Sequence, residues 1–275
     1  MSEFQLDVRT DRALKPLSRQ AWIDATEFYA LPSQEVLKQV TDRVSERENP
    51  LVLLDLDSTL YEVRPRTYFI LKEWAQTEAA KNHPEVCALI LSMGPHQIGY
   101  SIEDTFENLG LGSPGQIPSS RMDSLLEVQR FWKSRFFHSD YLSYDFAYDG
   151  AAEFVRGLHE RGASIVYLTG RDEPQMGNGT RSNLIRDGFP WSLPKVSLMM
   201  KPHFKVGDLE FKQNALRFLE LQGHLIASFE NEPLNLLSIQ KAFPSAMHVF
   251  MDTLCSDHPA PVGRGIYRIT GFVDF

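Results

Sequence analysis

Two cysteines in 275 residues, Cys87 and Cys255, are too few and too far apart for a disulfide framework or a thiolate metal site. A reducing, cytoplasmic setting is therefore the expectation. The opening stretch MSEFQLDVRTDRALKP has no signal-peptide core, and no later run is apolar for long enough to cross a bilayer, which argues against a membrane partner. Excess positive charge is also missing. Against 28 Lys and Arg stand 36 Asp and Glu, a formal net charge of −8, and that field disfavours nucleic acid as a partner. Internal repeats, a Gly-rich phosphate loop, a G-x-S-x-G elbow and paired histidines are absent as well. What remains is an ordinary globular composition, 43% hydrophobic and 23% charged. The length suits one large domain, or one domain carrying an insertion.

The most informative stretch is Leu51-Val52-Leu53-Leu54-Asp55-Leu56-Asp57-Ser58-Thr59-Leu60. Four consecutive apolar residues predict a strand buried on both faces, as in a parallel sheet. At its C-terminal end, where open α/β sheets bind ligands, stand Asp55 and Asp57. Two close carboxylates repel, so the pair calls for a divalent cation, a lysine or a shared proton. Taken alone, the same string also describes a strand end and an Asp-Ser turn capping the next helix.

Before this strand, residues 1–49 read as a polar, helical packing extension. Ser33 is the expected N-cap of a helix whose stripe is Val36, Val40 and Val44. After it, residues 62–148 change to a helical pattern. Helix is expected over 66–81, with capping boxes at Ser101–Asp104 and Ser120–Asp123. A helix face is expected through Met122, Leu125, Val128, Trp132 and Phe136. The α/β rhythm resumes at Asp149. Strands are predicted at Ser164–Leu168, Val196–Met200, Leu225–Phe229 and Ala246–Met251, with helices at Thr180–Arg186 and Phe211–Leu221 among those between them. Strands alternating with helices predict a parallel sheet covered on both faces.

In such a sheet the C-terminal strand ends share one edge, so Asp55, Asp57, Thr169 and Glu230 are expected to meet. Thr169 offers a hydroxyl, and Gly170 allows close approach of the backbone to a ligand. Lys201, Lys205 and Lys212, the last of them 18 residues before Glu230, are candidates to set a cation beside these carboxylates. Glu230 and Asn231 both present oxygen, which suits a hard cation such as Mg²⁺, and Asn235 offers a further oxygen nearby.

These stretches, in this order, resemble the motifs of the haloacid dehalogenase superfamily: Asp55-Leu56-Asp57-Ser58-Thr59, then Thr169, Lys212 and Glu230-Asn231. The resemblance implies a Rossmann-like three-layer α/β sandwich with a central parallel sheet. Its core would be residues 50–61 and 149–275, with residues 62–148 a mostly helical cap. It also implies a Mg²⁺-dependent phosphohydrolase acting on a small phosphorylated metabolite. Asp55 would be the nucleophile and Asp57 the proton-transfer group. Thr169, Gly170 and Lys212 would hold the phosphoryl group, and Asp55, Asp57, Glu230 and Asn231 the metal. Asp57 favours phosphatases or phosphomutases over dehalogenases, and the Thr169–Pro190 stretch leans toward the acid-phosphatase and nucleotidase-like branch. Glu230-Asn231 departs from the family's acidic pair and leaves open a binding or scaffold protein on a silent fold.

Overall fold

A computed structural model describes residues 19–113, 115–219, 221 and 223–273; the expectation for residues 1–18 lies outside the described residues. The chain begins with helix α1 (Arg19–Ala25), the short strand β1 (Glu27–Phe28) and helix α2 (Ser33–Glu46). Val36, Val40 and Val44 are buried as their spacing requires, together with Leu37. Ser33 is not the cap. Pro32 holds that position, and Ser33 Oγ instead accepts from the Thr270 backbone N at 3.3 Å.

Strand β2 (Pro50–Leu54) is buried at every residue. Its register explains why: Leu51 and Leu53 pack on one face of the sheet while Val52 and Leu54 pack on the other. A tight turn leads to β3 (Tyr61–Glu62). The chain then makes helices α3 (Arg64–Trp74), α4 (Pro84–Ser92), α5 (Ile102–Asn108) and α6 (Ser119–Phe136) before β4 (Phe146–Ala147) pairs antiparallel with β3. These helices bury a core of their own, including Trp74, Ile90, Phe106 and Val128.

Helix α3 stops at Trp74 rather than running to residue 81. The Ser101 box forms, with Asp104 N donating to Ser101 Oγ at 3.0 Å and Ser101 N to Asp104 Oδ2 at 2.8 Å. The Ser120 box does not, because α6 starts at Ser119 behind Pro118. On α6, Leu125 and Val128 are buried, but Met122 is exposed.

The second half adds α7 (Ala151–Glu160), β5 (Ser164–Asp172), α8 (Glu173–Arg186), β6 (Val196–Lys201), α9 (Asp208–Leu219) and β7 (His224–Glu230). Helix α10 (Pro233–Ala242) and strands β8 (Met247–Met251) and β9 (Arg264–Ile269) complete it. Helix α8 begins seven residues before the expected Thr180, because Asp172 caps it through Gln175 N at 3.2 Å and Pro174 presets its first turn. Its Gly179 has a packing reason: a Cβ there would lie 2.6 Å from the Ser139 carbonyl oxygen.

The seven strands order as β1-β9-β8-β7-β2-β5-β6, every neighbouring pair parallel. Helices α2, α7 and α8 cover one face and α9 and α10 the other, a Rossmann-like three-layer α/β sandwich. Strand β2 is central. The chain leaves it for β5 and β6 on one side, then returns for β7, β8 and β9 on the other. The C-terminal end of β2 is therefore a topological switch point, the place where such sheets open a crevice.

Candidate active site

Backbone geometry delivers Asp55 to that crevice. Its amide donates to the Phe229 carbonyl at 3.0 Å, which ties the end of β2 to β7. The chain then turns at once: Leu60 and Tyr61 amides both return to the Leu56 carbonyl at 2.9 Å, and Ser58 adopts φ +58°. Asp57 thus leaves the strand direction that Asp55 follows, and the two carboxylates acquire different partners.

Asp55 belongs to a lysine cluster. Lys212 Nζ, from the first half of α9, donates to Asp55 Oδ1 at 2.7 Å and to Glu230 Oε2 at 2.8 Å. All three side chains are buried. Glu230 Oε1 accepts from the backbone amides of Asn231 at 3.1 Å and Glu232 at 3.0 Å, which fixes its carboxylate. Two buried carboxylates share one ammonium, so the second negative charge has no counterion and its carboxyl resists ionising. Burial pushes Asp55 up to about 8, against the pull of Lys212. Glu230 is raised for the same reason. Burial alone would lower Lys212, but Asp55 and Glu230 raise it well above the usual lysine value.

Asp57 belongs to an arginine cluster. Its Oδ1 accepts from Arg171 Nε and from Arg66 Nη2, each at 3.0 Å. The same guanidiniums grip Asp145: Arg66 Nε and Nη2 at 2.8 and 2.6 Å, and Arg171 Nη2 at 2.9 Å. Two carboxylates and two guanidiniums make a neutral quartet that joins the turn after β2, helix α3, strand β5 and the residue before β4. Burial would raise Asp57, yet Arg171 and Arg66 outweigh it and hold the carboxyl well below its usual range.

The remaining expected residues fall out unevenly. Thr169 is fully buried, its Oγ1 accepting from the Arg171 backbone N at 3.2 Å. Gly170 lines the cavity above Asp55, but its freedom serves the protein: a Cβ there would fall 2.0 Å from Asp208 Oδ1. Asn231 has both ends of its amide engaged, Oδ1 by Thr59 Oγ1 at 3.2 Å and Nδ2 on the Leu254 carbonyl at 2.7 Å. That makes it a turn-holding residue more than a cation ligand. Lys205 is exposed, whereas Lys201 is buried and lines the cavity. Asn235 reaches Asp208 at 3.1 Å instead of the lysine cluster.

Asp208, Arg66, Arg171 and Asp145 were missed in the sequence. Asp208 lies 3.8 Å from Lys212 Nζ, and its Oδ1 is buried without a hydrogen-bond partner. Its signal was spacing: four residues before Lys212 on a helix places it on the same face.

The cavity lined by Asp55, Asp57, Asp208, Lys212 and Glu230 measures about 370 Å³, with Thr169, Arg66, Arg171 and Asp145 buried outside its lining. A larger one, about 850 Å³, sits near Arg43, Arg47 and His224, at the N-terminal strand ends and away from the carboxylates. Among the described residues no three His, Cys, Asp or Glu side chains converge as a metal cluster. Mg²⁺ does not require one, since it is commonly held by one or two carboxylates with water and substrate phosphate. Asp55 and Glu230 fit that pattern: all their donors are oxygen, and they already share one cation.

No curated protein matches the chain. Solved structures similar to it include a provisionally assigned phosphatase from Clostridium difficile, at 14% identity and TM-score 0.49, covering 82% of this chain and 96% of that one. Protein Tyrosine Kinase A of Mycobacterium tuberculosis is similar at 16% identity and TM-score 0.48, covering 79% of this chain and 94% of that one. A predicted phosphoglycolate phosphatase from Haemophilus somnus follows at 12% identity and TM-score 0.46, with 82% and 95% covered. The family model for a haloacid dehalogenase-like hydrolase matches residues 50–189, which is 140 of the 275 residues. The match begins at β2, takes in Asp55 and Asp57, and runs past Thr169 and α8. By that match the chain belongs to the haloacid dehalogenase-like hydrolases.

Proposed function

We propose that the protein is a Mg²⁺-dependent phosphohydrolase of small phosphate monoesters, with Asp55 as nucleophile. The observation that carries this reading is Asp55 itself: a nearly buried carboxylate at the switch point, facing a small cavity and held by Lys212 against Glu230. A carboxylate so placed attacks phosphorus and forms an aspartyl-phosphate, which water then hydrolyses. Lys212 balances charge on the transferring group, and the Thr169 hydroxyl retains a proton to donate. Asp55 and Glu230 would hold Mg²⁺, which when bound neutralises phosphate charge. Asp57 is the proposed proton-transfer group. Two guanidiniums keep it a carboxylate, the form that accepts a proton from water. Taking up that proton weakens both ion pairs, and handing it to a leaving alkoxide restores them.

The helices between β3 and β4 are proposed as the cap, since residues from α3 and α6 line the same cavity as Asp55. A cavity of this size admits small esters and excludes folded phosphoproteins. Hydrolysis of p-nitrophenyl phosphate with Mg²⁺, its loss in EDTA and its loss in Asp55→Asn are the expected results. A rival reading, a phosphate-binding protein on a silent fold, draws on the arginine grip on Asp57. Orthophosphate binding without Mg²⁺-stimulated turnover of any ester would select it.

A further inference from the structure

The residues lining the cavity divide by their origin. Those from the strand ends and α9 are mostly charged: Asp55, Lys201, Asp208, Lys212 and Glu230. Those from the helical insertion and the residues flanking it are mostly apolar or aromatic, led by Val63, Ile98, Trp132, Phe136 and Phe137. The aromatic residues pack on one another. Trp132 and Phe136 rings are 4.6 Å apart between centroids, Phe136 and Phe137 5.1 Å, and Trp132 and Phe137 5.8 Å. The Arg66 guanidinium lies 4.2 Å from the Phe136 ring centroid, which fixes that ring from behind.

The insertion's few polar groups in the cavity already have partners. Trp132 Nε1 donates to Thr67 Oγ1 at 3.0 Å. Arg64 Nε donates to Glu62 at 2.9 Å, and the Tyr100 hydroxyl faces Glu232 and Ser256. A sugar or polyol leaving group would bury several hydroxyls against this wall with few groups to meet them, and each unmet hydroxyl is costly. A flat apolar ring has no such debt and gains both burial and ring–ring contact. The volume, about 370 Å³, is near the lower end for small-molecule sites.

We propose that the preferred substrates are phosphate monoesters of aromatic alcohols, with Trp132, Phe136 and Phe137 as the specificity-determining wall. The proposal rests on the phosphohydrolase reading above. The phosphoryl group sits at the charged end, beside Asp55, Lys212 and Lys201, and the ring lies against the wall. Lys201 strengthens this placement: it is nine-tenths buried, lines the cavity, and has no carboxylate within ion-pair distance among the described residues. Hydrolysis breaks the bond between phosphorus and the aryl oxygen. Water supplies the oxygen that completes orthophosphate and, in the balance, the proton that completes the phenol.

Binding and turnover test this separately. By calorimetry with Mg²⁺ present, benzylphosphonate, which cannot be hydrolysed, should bind about 10- to 100-fold tighter than methylphosphonate, the range that burying one ring against aromatic faces supports. Trp132→Ala should erase most of that ratio, and Trp132→Phe should restore it. In turnover, kcat/KM should favour phenyl phosphate over glucose 6-phosphate, and Trp132→Ala should narrow the gap. Equal binding of the two phosphonates, or a ratio untouched by Trp132→Ala in a variant that melts as the wild type does, would overturn the proposal. Preferential benzylphosphonate binding with no ester hydrolysed would uphold the pocket and reject the hydrolase. Hydrolysis without aryl preference would do the reverse.

Discussion

Removing Asp145 perturbs the protein at a point where the charge balance can be counted. Asp145 is fully buried and accepts three charge-assisted bonds, from Arg66 at 2.8 and 2.6 Å and from Arg171 at 2.9 Å. Asp57 and Asp145 together neutralise Arg66 and Arg171. Asp145→Ala leaves both guanidiniums on Asp57 alone, with one buried positive charge in excess. Breaking such a pair on one side costs on the order of 3–5 kcal/mol, far more than the net worth of the intact pair. Arg66→Met makes the opposite error, leaving one negative charge over, and should cost a similar amount. Joining the two changes restores neutrality, so the double variant should be more stable than the sum of the singles predicts, by roughly 1–3 kcal/mol. Urea denaturation at pH 7 reads this directly, provided the slope stays constant between variants. Additive losses, or a loss in Asp145→Ala below about 1 kcal/mol, would refute the view of the quartet as one electrostatic unit.

Gly170→Ala should drive a methyl into Asp208, since the added Cβ would lie 2.0 Å from its Oδ1. A displacement of that scale beside Lys212 should lower kcat/KM by about 10- to 100-fold. In an Asp208→Ala background the same change should cost little more. His248 sets a pH dependence of stability. Its Nε2 donates to the Phe243 carbonyl and its Nδ1 accepts from Ser228, both at 2.9 Å, so the ring is neutral, and burial lowers its pKa to about 4. Below its ordinary value near 6.5 the unfolded chain takes up a proton that the native ring refuses, so stability falls as pH falls from there toward 4. The loss attributable to His248 should reach about 2 kcal/mol at pH 5. A His248→Gln variant whose melting temperature falls as steeply between pH 7 and 5 would contradict it.

Residues 50–61 were the most legible part of the chain, because an unbroken apolar run ending in Asp-x-Asp has few structural solutions. Strand order alone brought Asp55 and Glu230 to one edge, since both stand at C-terminal strand ends, whereas Lys212, inside α9, was placed by the family resemblance. The arginine quartet was not legible. Arg66 sits in a helix, Arg171 beyond an expected strand end and Asp145 before a two-residue strand, and only the fold brings them together. Strand β9 escaped notice because Arg264-Gly265-Ile266-Tyr267-Arg268-Ile269 is an interrupted, partly exposed pattern with Gly265 at φ +64°. Helix α8 was expected only from Thr180, although it starts at Glu173 and runs through Gly177 and Gly179. In the fold, Gly179 provides the close approach to Ser139.

The proposed reaction turns on attack of an Asp55 carboxylate oxygen on phosphorus. Asp57→Asn should slow release of that intermediate by removing the proton acceptor, typically a ~10²–10⁴-fold effect. Rapid acid quench of Asp57→Asn with p-nitrophenyl phosphate and Mg²⁺, followed by mass analysis of the peptide spanning Leu51–Leu60, is the direct measurement. The account predicts a burst of p-nitrophenol matched by one phosphoryl group on Asp55, absent in the Asp55→Asn/Asp57→Asn double variant. Steady hydrolysis without a burst and without label on Asp55, or undiminished turnover by Asp55→Asn, would contradict it.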